Sequence, residues 1–254
     1  MGKFALLVRR RKLYMELAEK YSLTGIDLTR LKTEFEITQL KVEFAIVKSK
    51  LDGISLLESI EKYTALHRYT RKLDQKRKDS LIKQLKSMDK DRLPDLVELL
   101  FLSSDYTKHI CTHQRNYRCF DYDIWENEGA LIHFANAIIP RDPFSETEIP
   151  HRKEELRDIA IDIRDYHPEI KYVFSVSWMW NLAKFRLLMP DSFNDSLKEF
   201  GDSEFYSLGH WGQFYRYDGT LNHERIDEFR KNWEFPQKIL IGECPVDDFL
   251  RFCI

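Results

Sequence analysis

The stretch NYRCFDYDIWENEGALIHFANAII, residues 116–139, decides how the second half of this chain is read. Its first arm alternates. Arg118, Phe120, Tyr122 and Ile124 fall on one side of an extended strand, and Cys119, Asp121 and Asp123 on the other. ENEG at 126–129 is turn chemistry, and ALIHFANAII at 130–139 continues as a second, more apolar strand. The pattern predicts a hairpin over roughly 117–139.

Outward from the hairpin the pattern keeps changing period. PRDPFSETEIP at 140–150 is a proline-rich loop, and HRKEELRDIAIDIRDYH at 151–167 is an amphipathic helix with Leu156, Ile159, Ile163 and Tyr166 on one stripe. KYVFSVSW at 171–178 reads as a short strand and NLAKFRLLM at 181–189 as a short helix. LGHWGQFYRYDGTL at 208–221 reads as a further strand ending at a turn, and NHERIDEFRKNW as a helix capped by Asn222. QKILIGEC at 237–244 is a last strand, and PVDDFLRFCI is a terminal helix opening on Pro245. The expected order β-β-α-β-α-β-α-β-α indicates an α/β domain on a mixed sheet over residues 111–254.

Residues 1–110 read as a mainly helical module, with no proline before Pro94 and only Gly2, Gly25 and Gly53 to interrupt it. Helices are expected near 4–21, after an N-cap at Asp27, over 52–73 and 74–92, and from Leu93 to His109 with Pro94 in its first turn. Residues 34–48 carry both a helical and a period-2 pattern, so helix and strand both fit there.

The 254 residues suffice for a sizeable core. With 43% hydrophobic and 32% charged residues, disordered and fibrous classes are excluded. No apolar run is long enough for a membrane span, and the opening MGKFALLVRRRK fits neither a signal peptide nor a myristoylation site, so a cytoplasmic protein is expected. The net charge of −2 conceals a split. Residues 1–92 hold 22 Lys and Arg against 13 Asp and Glu; residues 93–254 hold 18 against 29. The basic helices could attract an acidic protein partner or pair copies of the chain, while the acidic half argues against nucleic acid.

Four candidate groups carry chemistry. HICTHQRNYRC offers His109, Cys111, His113 and Cys119 at spacings a metal site could use, without the Glu a zinc protease needs. On the hairpin, His133 shares a face with Leu131 and Ala135, Asn136 points to the other face, and Asp121 or Asp123 could orient the imidazole as a general base. Ser177, Trp178 and Asn181 lie where a strand ends and a helix begins, the place where open α/β sheets take ligands. GHWGQFYRYDG adds His210, Trp211, Gln213 and Arg216, and Cys244 could be a nucleophile if His210 served as its base.

Residues 117–243 resemble the later half of a GNAT-type N-acyltransferase, which has an antiparallel hairpin, a long helix, a strand, a short helix and closing strands. The segment SVSWMWNLAKFRLLMPDSF, 175–193, falls on the strand-to-helix step, with Asn181, Ala183 and Phe193 close to the family's N-x-x-A and aromatic positions. The resemblance implies that Asn181 lies near a coenzyme A arm and that acyl-CoA is the cofactor. The family's glycine loop for pyrophosphate has no counterpart: PRDPFSETEIPHRKEE contains three prolines and no glycine.

The expectation is a small-molecule transferase, acyltransferase-like, with a pocket between the hairpin and the 175–181 strand end. His133 or Asp121 would be the base. Asp123, Asn136, Ser177, Asn181, His210 and Gln213 would be polar contacts, and Trp178 and Trp211 the walls. The alternative is a non-catalytic interaction protein or partner subunit on a degenerate α/β scaffold, which the missing glycine loop favours.

Overall fold

The computed structural model describes residues 15–16, 19, 25–64, 76, 79–80, 83, 119–201 and 208–254. The helix expected over 93–109 and the group His109, Cys111 and His113 lie outside these residues. Of the described residues, 25–64, 208–214 and 219–221 belong to one compact unit, and 119–201, 215–218 and 222–254 to a second. The class is α/β, with helices preceding a mixed sheet of five strands. No described helix is long and apolar enough to cross a membrane.

In the first unit, α1 runs Gly25–Asp52 and α2 Leu56–Tyr63. Helix α1 begins before Asp27, so that residue lies inside the helix and is not its N-cap. It also settles residues 34–48 as helix. The period-2 signal has a physical origin. Between Leu31 and Ala45 the buried residues lie all around the helix, among them Phe35, Ile37, Leu40, Val42 and Phe44, so one apolar stripe is replaced by near-continuous burial. The buried Thr33 and Thr38 satisfy their hydroxyls on carbonyls one turn back, Thr29 O at 3.0 Å and Glu34 O at 2.8 Å. Gly53, at φ +66°, ends α1 in the left-handed conformation that an L side chain resists. Ser55 caps α2, accepting from Glu58 N at 3.2 Å, and Ser59 Oγ donates to Ala45 O at 2.7 Å to fix α2 on α1.

Residues 208–214 are not the expected strand. They form a helical turn, Leu208–Trp211, followed by a 3-10 turn, Gly212–Phe214. Gln213 and Phe214 are buried consecutively, which a turn permits and strand alternation does not. Trp211 packs edge-on to Phe44, and the Lys41 ammonium lies 5.6 Å from its ring centre. Burial holds the Lys41 amine down to about 8.

The second unit is built on the predicted hairpin. β1 (Phe120–Trp125) and β2 (Gly129–Phe134) pair antiparallel through a tight turn, with Glu126 and Asn127 at φ 50° and 62°. Helix α3 (Ile149–Tyr166) crosses to β3 (Tyr172–Ser177), which is parallel to β2. A 3-10 turn, Trp178–Asn181, and short helices Ala183–Arg186 and Asp191–Asp195 lead to a two-residue β4, Lys198–Glu199. Helix α4 (His223–Asn232) is capped by Asn222 as expected, and β5 (Leu240–Pro245) and α5 (Val246–Cys253) close the chain. The sheet order is β1-β2-β3-β5-β4, with β5 antiparallel to both its neighbours.

Helices α3 and α5 pack on one face of this sheet. Leu156, Ile159 and Ile163 of α3 join Phe120, Ile132, Val173, Cys244 and Phe249 in one core. Tyr166, expected on the same stripe, is 73% exposed because it sits in the last turn of α3. At Gly242 a Cβ would stand 2.5 Å from the ring of Phe193, which is fully buried and cannot swing away. Gly242→Ala is expected to lower stability by about 1–3 kcal/mol through overpacking. Urea unfolding of the two proteins checks this, and an unchanged midpoint would contradict the packing described.

Candidate functional site

The strands β2 and β3 are paired over only three residues, Gly129 with Tyr172, Ala130 with Val173 and Leu131 with Phe174. Beyond these, β2 runs on through Ile132–Phe134 beside β1, and β3 through Ser175–Ser177 beside β5, without pairing with each other. Two parallel strands therefore part at their carboxyl ends, inside the sheet. On the helix-covered side the gap is backed by aromatic rings: Phe185 contacts Phe134 at 5.4 Å, Phe144 at 5.4 Å and Trp180 at 4.3 Å between ring centres.

His133 lies on the parted stretch of β2, facing away from α3. Its Nε2 is 2.9 Å from Asp123 Oδ2. This is a diagonal pairing. Asp121, though directly opposite His133 in register, uses its carboxylate on Tyr122 N at 2.9 Å. Of the two acids considered, Asp123 is thus the partner of the imidazole. The pair is not buried, with side-chain exposures of 48% and 76%, so it adds little to stability. When Nε2 carries the proton it donates to Asp123 and leaves Nδ1 as an acceptor.

The other expected contacts are held by the fold itself. Ser177 Oγ accepts from Met179 N at 3.1 Å and caps the 3-10 turn. Asn181 Nδ2 donates to Trp178 O at 2.6 Å and to Lys238 O at 2.8 Å, tying the end of β3 to the approach to β5. Asn136 Nδ2 donates to Tyr217 O at 2.8 Å, and its Oδ1 accepts from Ile138 N at 3.1 Å. The Arg225 guanidinium sits 5.7 Å from the Trp178 ring centre, and Trp180 is buried in the core.

His210, Trp211 and Gln213 belong to the first unit, whereas His133, Ser177, Trp178 and Asn181 belong to the second. Burial holds the His210 imidazole down to about 4, so it is neutral at physiological pH. The Cys244 thiol is 2% exposed and burial pushes it up to about 12. A thiol so held is not a nucleophile near neutral pH, which removes the Cys244–His210 arrangement. No group of three or more His, Cys, Asp or Glu suited to a metal occurs among the described residues.

One feature escaped the sequence reading: a buried charge network at the start of α3. Arg152, 3% exposed at its side chain, donates from Nη2 to Glu155 Oε1 at 2.8 Å and from Nη1 to Cys119 Sγ at 2.9 Å. The other Glu155 oxygen accepts from Cys119 N at 3.0 Å and Phe120 N at 3.1 Å. Arg141 reaches Glu148 at 2.6 Å, and Glu148 stands 4.0 Å from Arg152. The i, i+3 spacing of Arg152 and Glu155 was visible, but it is the spacing of an ordinary exposed helix pair. Burial, which sequence does not display, is what distinguishes it.

Compared with models of known protein families, with curated proteins and with solved structures, the chain finds no match.

Because Asn181 closes two backbone carbonyls, Asn181→Ala is expected to lower stability by about 1–3 kcal/mol. Thermal unfolding measures it, and an unchanged Tm would instead leave Asn181 available as a ligand contact. His210 gives a pH signature. Its imidazole takes a proton near 6.5 when unfolded but only near 4 when folded, so protonation favours unfolding. Stability is full above about 6.5 and falls as the pH drops from there to about 4. His210→Leu should flatten that slope in urea titrations, and an identical slope would refute the assignment.

Proposed function

We propose that this chain is a small-molecule transferase of acyltransferase-like type, which takes an acyl thioester between β2 and β3. The observation that carries this reading is the parting of the two strands after Leu131 and Phe174, with His133 on the parted stretch. Parted parallel strands leave backbone donors and acceptors facing a gap. An extended ligand that carries amides, such as the pantetheine arm of coenzyme A, can complete both ladders there. The order of hairpin, helix, parallel strand, short helices and closing strands supports the same reading.

In this reading His133 is the general base and Asp123 holds its ring. An amine nitrogen attacks the thioester carbonyl, a C–N bond forms and the C–S bond breaks. His133 accepts the proton from the amine and returns it to the departing thiolate, which leaves as the thiol with His133 neutral again. The phosphate end of the ligand gains little here, since the start of α3 has Pro150 and the Glu148–Arg141 pair in place of a glycine loop.

Calorimetry on the full chain is the test. Acetyl-CoA and pantetheine are expected to bind comparably, and adenosine 3′,5′-bisphosphate far more weakly. His133→Ala should cut acetyl transfer to an amine by about 10²–10⁴-fold while leaving acetyl-CoA binding in place. Absence of binding by acetyl-CoA would sink the acyl-thioester version. It would favour the second reading, a non-catalytic scaffold or partner subunit. What supports that reading is the use of Ser177 and Asn181 in the fold's own hydrogen bonds.

A further inference from the structure

The face of the sheet turned away from α3 and α5 has a chemistry of its own. Strand alternation and register put Asp121, Asp123 and Trp125 of β1, Leu131 and His133 of β2, Tyr172, Phe174 and Val176 of β3, and Ile241 and Glu243 of β5 on this side. Its centre is aromatic. Trp125 meets Phe174 at 6.4 Å and 76°, and Phe174 meets Tyr172 at 5.8 Å. Gly129 makes the cluster possible: the Tyr172 ring lies over it, 2.7 Å from where a Cβ would stand. Trp125 remains 50% exposed although it is among the largest apolar side chains of the unit.

The rim is acidic. Asp121, Asp123 and Glu243 are all exposed, and neither Asp121 nor Glu243 is paired with a cation among the described residues. We propose that this face docks a cationic segment of a protein partner, whose arginine or lysine heads lie over Trp125 and Phe174 and against the acidic rim.

Three physical points choose this occupant. Open aromatic faces attract guanidinium and ammonium groups through the ring quadrupole, and the carboxylates add to the attraction. Small molecules favour concave sites, whereas Trp125 is half exposed at the turn end of the hairpin, packed edge-on to Phe174. A second copy docking the same face would set Asp121, Asp123 and Glu243 against themselves, and nucleic acid would meet the same repulsion.

The experiment uses the full chain and a labelled peptide in which arginine alternates with leucine, followed by fluorescence polarisation at low and physiological salt. The peptide should bind, more weakly as salt rises, and the same peptide with glutamate in place of arginine should not. Trp125→Ala is expected to weaken binding by roughly tenfold or more, with Trp125→Phe retaining much of it. Asp121→Asn combined with Glu243→Gln should weaken binding and flatten its salt dependence. Equal binding by Trp125→Ala, equal binding of the glutamate peptide, or no binding of the arginine peptide would each overturn the proposal. So would self-association in sedimentation that Trp125→Ala abolishes, since the occupant would then be a second copy. Acetyl-CoA binding is read separately, so its failure and the failure of the docking face are distinguishable.

Discussion

The second unit depends on one carboxylate. Glu155 sits in the second turn of α3 and accepts the backbone N–H groups of Cys119 and Phe120, where β1 begins. Arg152 neutralises it at 2.8 Å in a place that water hardly reaches. The start of an edge strand is thereby fixed to a helix some 35 residues later in the chain. A buried charge without its partner is costly, about 3–5 kcal/mol when one side is removed. The pair therefore makes little gain against an apolar alternative, but it allows only one relation between the helix and the hairpin.

That relation sets up the rest. With β1 fixed, the hairpin turn delivers β2, and α3 returns the chain so that β3 lies parallel to it. From Leu131 onward β2 stays with β1 and β3 stays with β5, and the sheet opens between them. Ser177 and Asn181 then hold the end of β3 in place through Met179 N, Trp178 O and Lys238 O. Among the described residues of the two unpaired stretches, Ile132–Phe134 and Ser175–Ser177, His133 carries the single imidazole.

What could be read beforehand follows from where the physics is local. The hairpin, α3, the Asn222 cap and β5 were legible, because strand alternation, turn residues and caps leave marks within a few positions. Residues 34–48 were ambiguous because α1 is buried around most of its circumference, which erases the one-sided stripe that identifies a helix. Residues 208–214 were misread because their aromatics serve a non-local contact, Trp211 on Phe44, which overrode the alternating look of the segment. At the candidate site, residue types were visible but partners were not. Asp121 and Asp123 were equal candidates to orient His133 in sequence; the fold pairs the imidazole with Asp123, on an exposed face rather than in the core. Asn181 looks like a ligand contact in sequence and is a backbone clamp in the fold.

Among the described residues, β1 is also the outermost strand on its side of the sheet. The bond from Ala135 N to Cys119 O sets the ladder so that the odd-numbered residues of β1 face β2, and Phe120, Tyr122 and Ile124 turn their backbone groups outward. Such an edge is an invitation to foreign strands and to fibrils. Here Glu155 already occupies the N–H of Phe120, and Asp121 that of Tyr122. Two of the three outward donors are withdrawn, each by a carboxylate. Asp121, which looks in sequence like part of an acid–base pair, thus works as a guard that keeps the sheet from growing past its own boundary.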